Sequence, residues 1–267
     1  MLNRTTAQAT TRTAVVRGLR MDPAMAPLRR SLAYYYDGDA GREAAIDAMY
    51  RRFVRPGDLV FDIGSHVGDR IASFRRLGAR VVAVEPQPLC MRALRALYGD
   101  DEQVALVEAA CGNGAGAVPM HINSSNPTVS TNSHRFTVAA NGSRGWEGQV
   151  WDRQITVAGV ALDALIRRFG VPAFIKIDVE GYEDVVLSGL SRPVPALSFE
   201  FTTIVRDVAR RCLERAGRLG FKGFDISLGE SMFRTFGRWI SREEMAAHLH
   251  GLPCEANAGD IYAVASC

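Results

Sequence analysis

The chain has 267 residues, of which 47% are hydrophobic and 23% are charged, an ordinary composition for a globular protein. No apolar run approaches the roughly 18–20 residues that a transmembrane helix needs. The formal net charge is +3, but six arginines and one aspartate give residues 1–30 a charge of +5, so the remainder carries −2. A near-neutral body argues against a nucleic-acid partner.

The chain is predicted to be one domain with an N-terminal extension. Residues 1–30 lack the apolar core and the small-residue cleavage site of a secretory signal, so we expect a partly flexible end and a short helix. Residues 31–267 have the length of one α/β domain. The cysteines show no C-x-x-C spacing, which predicts reduced thiols and a cytoplasmic location. They are Cys90, Cys111, Cys212, Cys254 and Cys267.

The first strong signal is a glycine-bearing turn after an apolar strand, in the sequence V-F-D-I-G-S-H-V-G-D over residues 60–69. The apolar run to Ile63 is short enough for a strand that is buried on both faces. Gly64 lets the backbone approach a ligand or take a positive φ, and Gly68 stands where the next helix begins. The turn therefore predicts a ligand-binding loop. Its candidate cofactor-binding residues are Asp62, Gly64, Ser65, His66, Gly68 and Asp69.

The next strand, over residues 81–84, ends on Glu85 and Pro86. Glu85 follows Asp62 by 23 positions, close to the roughly 20-residue spacing at which an acid reaches the ribose hydroxyls of a nucleotide. We therefore expect Glu85 and Pro86 to contact the cofactor. After a helix that proline opens, a third strand over residues 104–108 leads to a loop at the same edge of the sheet. The residues expected beside the adenine are Glu108, Ala109 and Ala110.

The loop after the first strand lacks the G-x-G-x-x-G pattern with which backbone amides bind a pyrophosphate. Instead, Asp62 stands at its mouth, where a carboxylate repels a diphosphate and attracts an ammonium or sulfonium group. The pattern favours S-adenosylmethionine over NAD as the ligand. A plain strand-to-helix turn with the same D-x-G spacing is the alternative, and Glu85 at the right distance weighs against it.

A polar tract over residues 123–153 interrupts the alternation of strands and helices, with short strands predicted on either side at 118–122 and 154–157. A loop of that length inside a compact domain is usually functional or disordered. Trp146 and Trp151 favour function, because exposed aromatic side chains are costly without a partner. We therefore predict that the tract is an insertion that recognises the substrate.

Strand–helix units then continue to the end of the chain, with strands predicted over residues 173–178, 196–201 and 221–226. Short connections between them imply an α/β fold with a doubly wound, mostly parallel sheet of seven strands, preceded by short helices. The last strand, over residues 260–265, is expected to be antiparallel.

A second motif, K-I-D-V-E-G-Y-E, covers residues 176–183. Lys176 and Asp178 point to one face of an apolar strand, where a charge must be paired or functional because an isolated buried charge is too costly. A structural Lys–Asp pair and a functional one are both open for Lys176. For Asp178 we favour function, because it lies at the carboxyl end of a strand, where open α/β sheets bind ligands. Gly181 permits a tight turn that could direct Glu180 toward the same crevice.

Together the two motifs and the A-V-E-P segment resemble the FkbM family of S-adenosylmethionine-dependent methyltransferases, over roughly residues 35–203. The resemblance also covers the L-D pair that ends at Asp163 and the S-F-E segment that ends at Glu200. It implies the class I methyltransferase fold, which is Rossmann-like, and O-methylation of hydroxyls on polyketides, sugars, glycolipids or other secondary metabolites. The family loop commonly reads G-A-N-x-G, and here His66 stands where that pattern has asparagine, so the cofactor role of His66 is left open.

A hydroxyl acceptor must lose its proton as the methyl bond forms. Asp178 is our first choice for the base, with Glu200, Glu180 or His134 as replacements and Lys176 as its neighbour. The alternative is that Asp178, Glu180 and Glu200 bind Mg²⁺, since oxygen ligands suit a hard cation. We predict no metal.

The predicted function is therefore that of a methyltransferase acting on a small-molecule or glycan acceptor, with a homo-oligomer left open. A NAD-dependent oxidoreductase is a second hypothesis, which the loop spacing weakens. The third is a non-catalytic protein that binds an adenosyl ligand and uses the Trp-containing tract for a protein partner.

Overall fold

The computed structural model describes residues 2–266 of the chain, with side chains from residue 12 to residue 266. Within that part the chain forms ten α-helices and ten strands. The helices are α1 (Leu2–Met21), α2 (Arg29–Tyr36), α3 (Ala40–Tyr50), α4 (Asp69–Arg76), α5 (Pro88–Tyr98), α6 (His134–Ala140), α7 (Leu162–Phe169), α8 (Glu183–Ser188), α9 (Arg206–Leu219) and α10 (Arg242–Gly251). The strands are β1 (Leu59–Ile63), β2 (Arg80–Val84), β3 (Val104–Val107), β4 (Ala110–Gly112), β5 (Gly116–Ile122), β6 (Arg153–Ala161), β7 (Phe174–Ile177), β8 (Ala196–Thr202), β9 (Gly223–Leu228) and β10 (Ala258–Val264).

Seven strands form the main sheet in the order β3-β2-β1-β7-β8-β10-β9. The first five in this order run parallel, and β10 is antiparallel to both of its neighbours. The predicted α/β class, the seven strands and the antiparallel last strand are confirmed. All residues of β1 and β7 are buried, which explains why both read as continuous apolar runs around a few polar positions.

The chain order reverses between β1 and β7, which lie side by side at the centre of the sheet. At such a switch point the crossover helices leave on opposite faces, and a crevice opens beyond the carboxyl ends of the two strands. In the register of this pair Asp62 lies opposite Lys176, so the two sequence motifs meet there.

A small second sheet differs from the prediction. The segment predicted as a loop at residues 109–112 contains β4, which pairs with β6, and β6 pairs in turn with β5. The predicted polar tract over residues 123–153 crosses from β5 to β6 and contains α6 and a 3₁₀ turn over Pro127–Val129.

The N-terminal part packs on the domain. Val16 and Leu19 of α1 join Leu28 and Leu32 in a buried cluster with residues of α5. The predicted boundary at residue 30 therefore divides a single packed layer. No helix among residues 2–266 has the length and apolarity to cross a bilayer.

The thiols that the structure describes are free, those of Cys90, Cys111 and Cys212 being buried and that of Cys254 exposed. The fifth cysteine of the prediction, Cys267, lies outside the described residues.

Candidate active site

A cavity lies at the carboxyl ends of β1 and β7, where the chain order reverses. Both motifs contribute to its wall. The predicted site residues that line it are Asp62, Gly64, Ser65, His66, Asp69, Glu85, Pro86, Lys176, Asp178, Glu180 and Glu200. Sequence reasoning thus brought together residues from four strands that are far apart along the chain.

The loop after β1 requires glycine at two positions. Gly64 has a φ of +81°, and a Cβ there would lie 1.7 Å from the carbonyl oxygen of Asp178. Gly68 has a φ of +85°, caps the start of α4, and would clash through a Cβ with the ring of Tyr98 at 2.5 Å. The first loop is therefore pressed directly against the turn that carries the second motif.

Two tyrosines fix the far side of this loop. Tyr36 donates to the carbonyl oxygen of Val67 at 2.7 Å, and Tyr98 donates to that of Gly68 at 2.5 Å. Their hydroxyl oxygens are 2.9 Å apart. Because Tyr36 belongs to α2, the N-terminal helices hold the loop as well as cover it.

Glu85, at the end of β2, has both carboxylate oxygens directed at the loops around it. One oxygen accepts from the backbone N–H of His66 and the other from that of Gln87, each at 2.8 Å. Burial raises the pKa of Glu85 to about 7, although the two N–H groups favour the charged form. Each oxygen can accept a further hydrogen bond, and Glu85 lines the cavity, so its carboxyl could bind a ribose diol.

Asp62 is 1% exposed, and neither of its carboxylate oxygens has a hydrogen-bond partner in the described part of the chain. Burial raises its pKa to about 6, with a smaller lowering by Lys176. A buried carboxylate without a partner is costly. Its position on the cavity wall fits a ligand that brings an ammonium group to it.

The charge on Asp62 predicts how stability changes with pH. Its pKa is raised from 3.8 to about 6, so the stability that it contributes is complete below about pH 3.8 and is lost as the pH rises through about 6. In urea unfolding of the ligand-free protein, the free energy of unfolding should fall less with rising pH in Asp62→Asn than in wild type. We expect the difference to be about 1–3 kcal/mol. Burial also raises the pKa of Asp260, Glu85, Glu180, Glu183 and Glu200, so a slope of the same sign should remain in this variant.

The matched control is Asp100→Asn, which changes an exposed aspartate in a surface turn. An unaltered slope in Asp62→Asn would show that the Asp62 carboxyl is hydrated or paired in solution.

Lys176 and Asp178 form a buried ion pair. Lys176 is 2% exposed, and its Nζ lies 2.6 Å from Asp178 Oδ2. Burial acts to raise the pKa of Asp178, but the Lys176 ammonium outweighs it, so the pKa lies below its usual value. The structural and functional interpretations of Lys176 therefore coincide: the lysine is paired, and the pair keeps an unprotonated carboxylate on the cavity wall.

Asp178, Glu180 and Glu200 approach one another, with one oxygen of each within 4.8 Å of the others. Burial and the charge of Asp178 raise the pKa of both glutamates well above the usual value. This is the arrangement expected for the Mg²⁺ alternative, but the Lys176 ammonium already supplies a positive charge at Asp178. Proximity alone supports the metal, and the chemistry proposed below has no step that needs one.

Several wall residues escaped the sequence prediction. Tyr35 of α2 lines the cavity and stands edge-on to the His66 ring at 5.9 Å. Arg70 is buried, and its guanidinium bonds Asp69 at 2.6 Å and Glu230 at 2.7 Å, which ties the start of α4 to the loop after β9. No local pattern in the sequence marks Arg70 or Glu230.

Within the polar tract, the segment over residues 127–132 forms part of the cavity wall. Gln87, next to Glu85, donates to Ser130 at 2.9 Å and to the carbonyl of Pro127 at 3.2 Å. Thr128 lies 3.4 Å from the His66 ring. This segment thus covers the side of the cavity that Glu85 faces. Burial lowers the pKa of His66 to about 4, so its ring is neutral near pH 7.

The two tryptophans of the tract do not serve as predicted. Trp146 is 8% exposed and donates to Asn257 at 3.0 Å, while Trp151 donates to the carbonyl of Val129 at 2.8 Å. Both pack against Phe136 of α6. The prediction of exposed aromatic side chains is wrong, because both side chains pack with Phe136 into the main hydrophobic core of the domain.

Five predicted residues lie off the cavity wall. Gly68 acts through the backbone as the cap of α4. Glu108 is exposed and paired with Arg95, and the buried Ala109 and Ala110 lead into β4. His134 is exposed, its ring lies beside that of His121, and it does not line the cavity.

Comparison with known proteins gives one family. The methyltransferase FkbM domain matches residues 62–209, more than half of the chain. No curated protein matches the sequence.

Among solved structures, the chain is similar to a precorrin-6y C5,15-methyltransferase from Geobacter metallireducens, with 13% identity and a TM-score of 0.43 over 84% of this chain and 87% of that one. It is similar to an S-adenosylmethionine-dependent O-methyltransferase from Thermotoga maritima, with 16% identity and a TM-score of 0.42 over 85% and 66%. The likeness to Aeropyrum pernix fibrillarin, which was solved with natively bound S-adenosyl-L-methionine, has 14% identity and a TM-score of 0.44 over 83% and 73%.

Proposed function

The chain belongs to the FkbM methyltransferase family, and on that premise we propose that it transfers the methyl group of S-adenosylmethionine to a hydroxyl of a sugar, glycolipid or other small secondary metabolite. The observation that carries this proposal is the cavity where the two motifs meet, with the unpartnered carboxylate of Asp62 and the Lys176–Asp178 pair on neighbouring strands of its wall.

The donor half of the cavity fits an adenosyl ligand with an amino-acid tail. Asp62 would hold the ammonium group, and Glu85 the ribose hydroxyls. Gly64 lets the loop pack against the carbonyl of Asp178, where no Cβ fits, and so brings the two motifs together at the cavity. The donor supplies an activated methyl group, so the protein mainly has to align donor and acceptor.

The charge of the cavity disfavours the oxidoreductase alternative. Seven acidic side chains line it, and those of Asp69 and Asp178 have pKa values below the usual value and are charged at neutral pH. The seven are Asp62, Asp69, Glu85, Asp178, Glu180, Glu200 and Glu230. The two basic side chains on the wall, Arg70 and Lys176, are already engaged in ion pairs. A pyrophosphate would meet repulsion without a free cationic partner, whereas a cationic donor and an uncharged acceptor would not.

Asp178 is the residue that we propose as the base. Its carboxylate is unprotonated near neutral pH and borders the cavity, while Lys176 holds its orientation through Oδ2. The other oxygen is left to accept the proton of an acceptor hydroxyl. Glu200, whose raised pKa favours the protonated form, can donate a hydrogen bond to Asp178 or to the acceptor.

The hypothesis of a non-catalytic binder loses its sequence support, because it relied on exposed tryptophans, whereas Trp146 is buried and Trp151 is half-buried and bonded to the carbonyl of Val129. A cytoplasmic location stays a proposal, supported by the scattered spacing of the cysteines.

Calorimetry with S-adenosylmethionine, S-adenosylhomocysteine and NAD tests the donor assignment. We expect the first two to bind and NAD to fail. Glu85→Ala should weaken S-adenosylhomocysteine binding by about ten- to a hundredfold, because it removes hydrogen bonds from the ribose to a charged group and the brace on His66. Glu102→Ala, a change at an exposed glutamate before β3, is the control. Equal affinity in wild type and Glu85→Ala would remove the ribose assignment.

The acceptor is tested with methyl-labelled S-adenosylmethionine and a panel of neutral methyl glycosides, each paired with its phosphorylated counterpart. Mass spectrometry of the products locates the added methyl group. The proposal requires methylation of an oxygen in the neutral compounds and little or none in the phosphorylated ones.

A further inference from the structure

Glu180 has an unusual backbone conformation for a residue with a side chain. Its φ is +58°, and that of the following Gly181 is +84°. Glutamate rarely adopts a positive φ, and such a residue persists only where its surroundings hold it. Glu180 also lines the cavity, and its Oε2 is buried without a hydrogen-bond partner among the described residues. The turn after β7 therefore needs an external brace.

One part of that brace is a hydrogen bond from the insertion. Thr131 donates its hydroxyl to the carbonyl oxygen of Glu180 at 2.7 Å. The same hydroxyl oxygen accepts from the backbone N–H of Ser133 at 2.9 Å, so its proton is directed at Glu180. Thr131 is 1% exposed, and its backbone pairs with His121 in both directions. The Thr131 hydroxyl is thus held in place by bonds that do not involve Glu180.

The second part is a ring that fills the space beside Gly181. A Cβ on Gly181 would lie 2.6 Å from the Phe136 ring, so the ring and the turn are in contact. Phe136 is fully buried, with Trp146 edge-on at 5.0 Å and Trp151 edge-on at 5.9 Å. From the opposite side, Glu183 accepts the N–H of Gly181 at 3.2 Å.

We propose that Thr131 and Phe136 are positioning residues for methyl transfer: they hold the Glu180 turn in its left-handed conformation and so place the Glu180 carboxyl in the wall of the acceptor site. The insertion then acts on the reaction through this turn, and its tryptophans serve by backing Phe136. Asp178, the proposed base, stands two positions before Glu180 at the start of the same turn. The brace on this turn therefore also limits movement of Asp178. This inference rests on the proposed function.

The test compares Thr131→Val, which keeps the shape and removes the hydroxyl, with Thr131→Ser, which keeps the hydroxyl. Turnover is measured with labelled S-adenosylmethionine and the neutral glycoside that reacts fastest in the panel above. Thr131→Val should lower kcat by about ten- to a hundredfold, and Thr131→Ser should recover most of it. The affinity for S-adenosylhomocysteine should stay within about twofold of wild type in both variants. Phe136→Leu, which shortens the ring contact, should repeat the Thr131→Val result.

Thr137→Val is the matched control, because the Thr137 hydroxyl also donates to a backbone carbonyl, that of His134, but lies on α6 away from the turn. It should leave kcat within about twofold of wild type. An unchanged kcat in both Thr131→Val and Phe136→Leu would overturn the proposal. So would a loss in Thr131→Ser as large as in Thr131→Val, or the same loss in the control.

A readout without an acceptor separates this inference from the proposed function. Hydrogen exchange is measured at the backbone amide of Gly181, which donates to Glu183 at 3.2 Å. Exchange should be faster in Thr131→Val than in wild type or Thr137→Val, because loss of the brace frees the turn. The same exchange rate in wild type and Thr131→Val would refute the brace even if no glycoside reacts, whereas faster exchange with an inert panel would count against the acceptor class alone.

Discussion

Asp178→Asn is expected to lower the rate of methyl transfer by about a thousandfold while the affinity for S-adenosylhomocysteine changes little. The amide has nearly the same shape as the carboxylate and still offers an oxygen to Lys176, but it cannot take a proton from an acceptor hydroxyl. Rates from labelled S-adenosylmethionine and calorimetry with S-adenosylhomocysteine measure the two effects separately.

The control for this substitution is Asp184→Asn. Asp184 stands six positions after Asp178 and pairs with Arg211 at 2.5 Å. Its replacement by asparagine makes the same change of charge away from the cavity. Full turnover in Asp178→Asn would remove Asp178 as the base and direct attention to Glu200. A loss of S-adenosylhomocysteine binding in parallel with the rate would instead show that the residue acts by supporting the donor site.

The size of this effect depends on Lys176. Burial disfavours charge on both partners, but each charge stabilises the other. The pKa of Asp178 therefore lies below its usual value, and the pKa of Lys176 lies well above its usual value. The same positive charge faces Asp62 and Asp260, whose carboxyls carry pKa values of about 6. Contact with Lys176 thus lowers the pKa of Asp178, whereas burial raises the pKa of Asp62 and Asp260 in spite of the same lysine. Carboxyl groups with separated pKa values can divide the roles of acid and base.

The sheet and both motif turns were predictable because local chemistry determines them. A strand buried on both faces is mostly apolar, as Leu59–Ile63 is apart from Asp62, and the turn that follows needs glycine because no Cβ fits at Gly64. The small sheet was not predictable in this way. Its strand Ala110–Gly112 has three residues and finds its partner at Gly159, so only the folded chain defines it.

The same distinction applies to the site. A residue that directly follows a predicted strand can be placed at the carboxyl end of the sheet from the sequence alone. The turns that contain Glu85 and Glu180 were both predicted in this way. Arg70 and Glu230 come from separate elements and meet only through packing, so no spacing marks them. The prediction that the tryptophans are exposed failed for a related reason. The sequence of a polar tract gives no sign that Trp146 and Trp151 pack against Phe136.

The contact between the two motif turns leads to a further strong expectation, for Gly64→Ala. The added Cβ would meet the carbonyl of Asp178 at 1.7 Å, in a residue whose φ of +81° already disfavours a side chain. Either the donor loop or the Asp178 turn must move. We expect binding of S-adenosylhomocysteine to fall below detection in calorimetry, and the free energy of unfolding to fall by about 2–5 kcal/mol, the sum of backbone strain and overpacking.

Gly57→Ala is the matched control, because Gly57 has a similar φ of +88° but open space where its Cβ would lie. It carries the backbone cost alone, about 1–2 kcal/mol, and should bind S-adenosylhomocysteine as wild type does. The difference between the two variants in urea unfolding measures the contact itself. If Gly64→Ala bound the ligand normally and lost no more stability than Gly57→Ala, the two turns would not be in contact in solution, and the alignment of donor and base derived from that contact would fail.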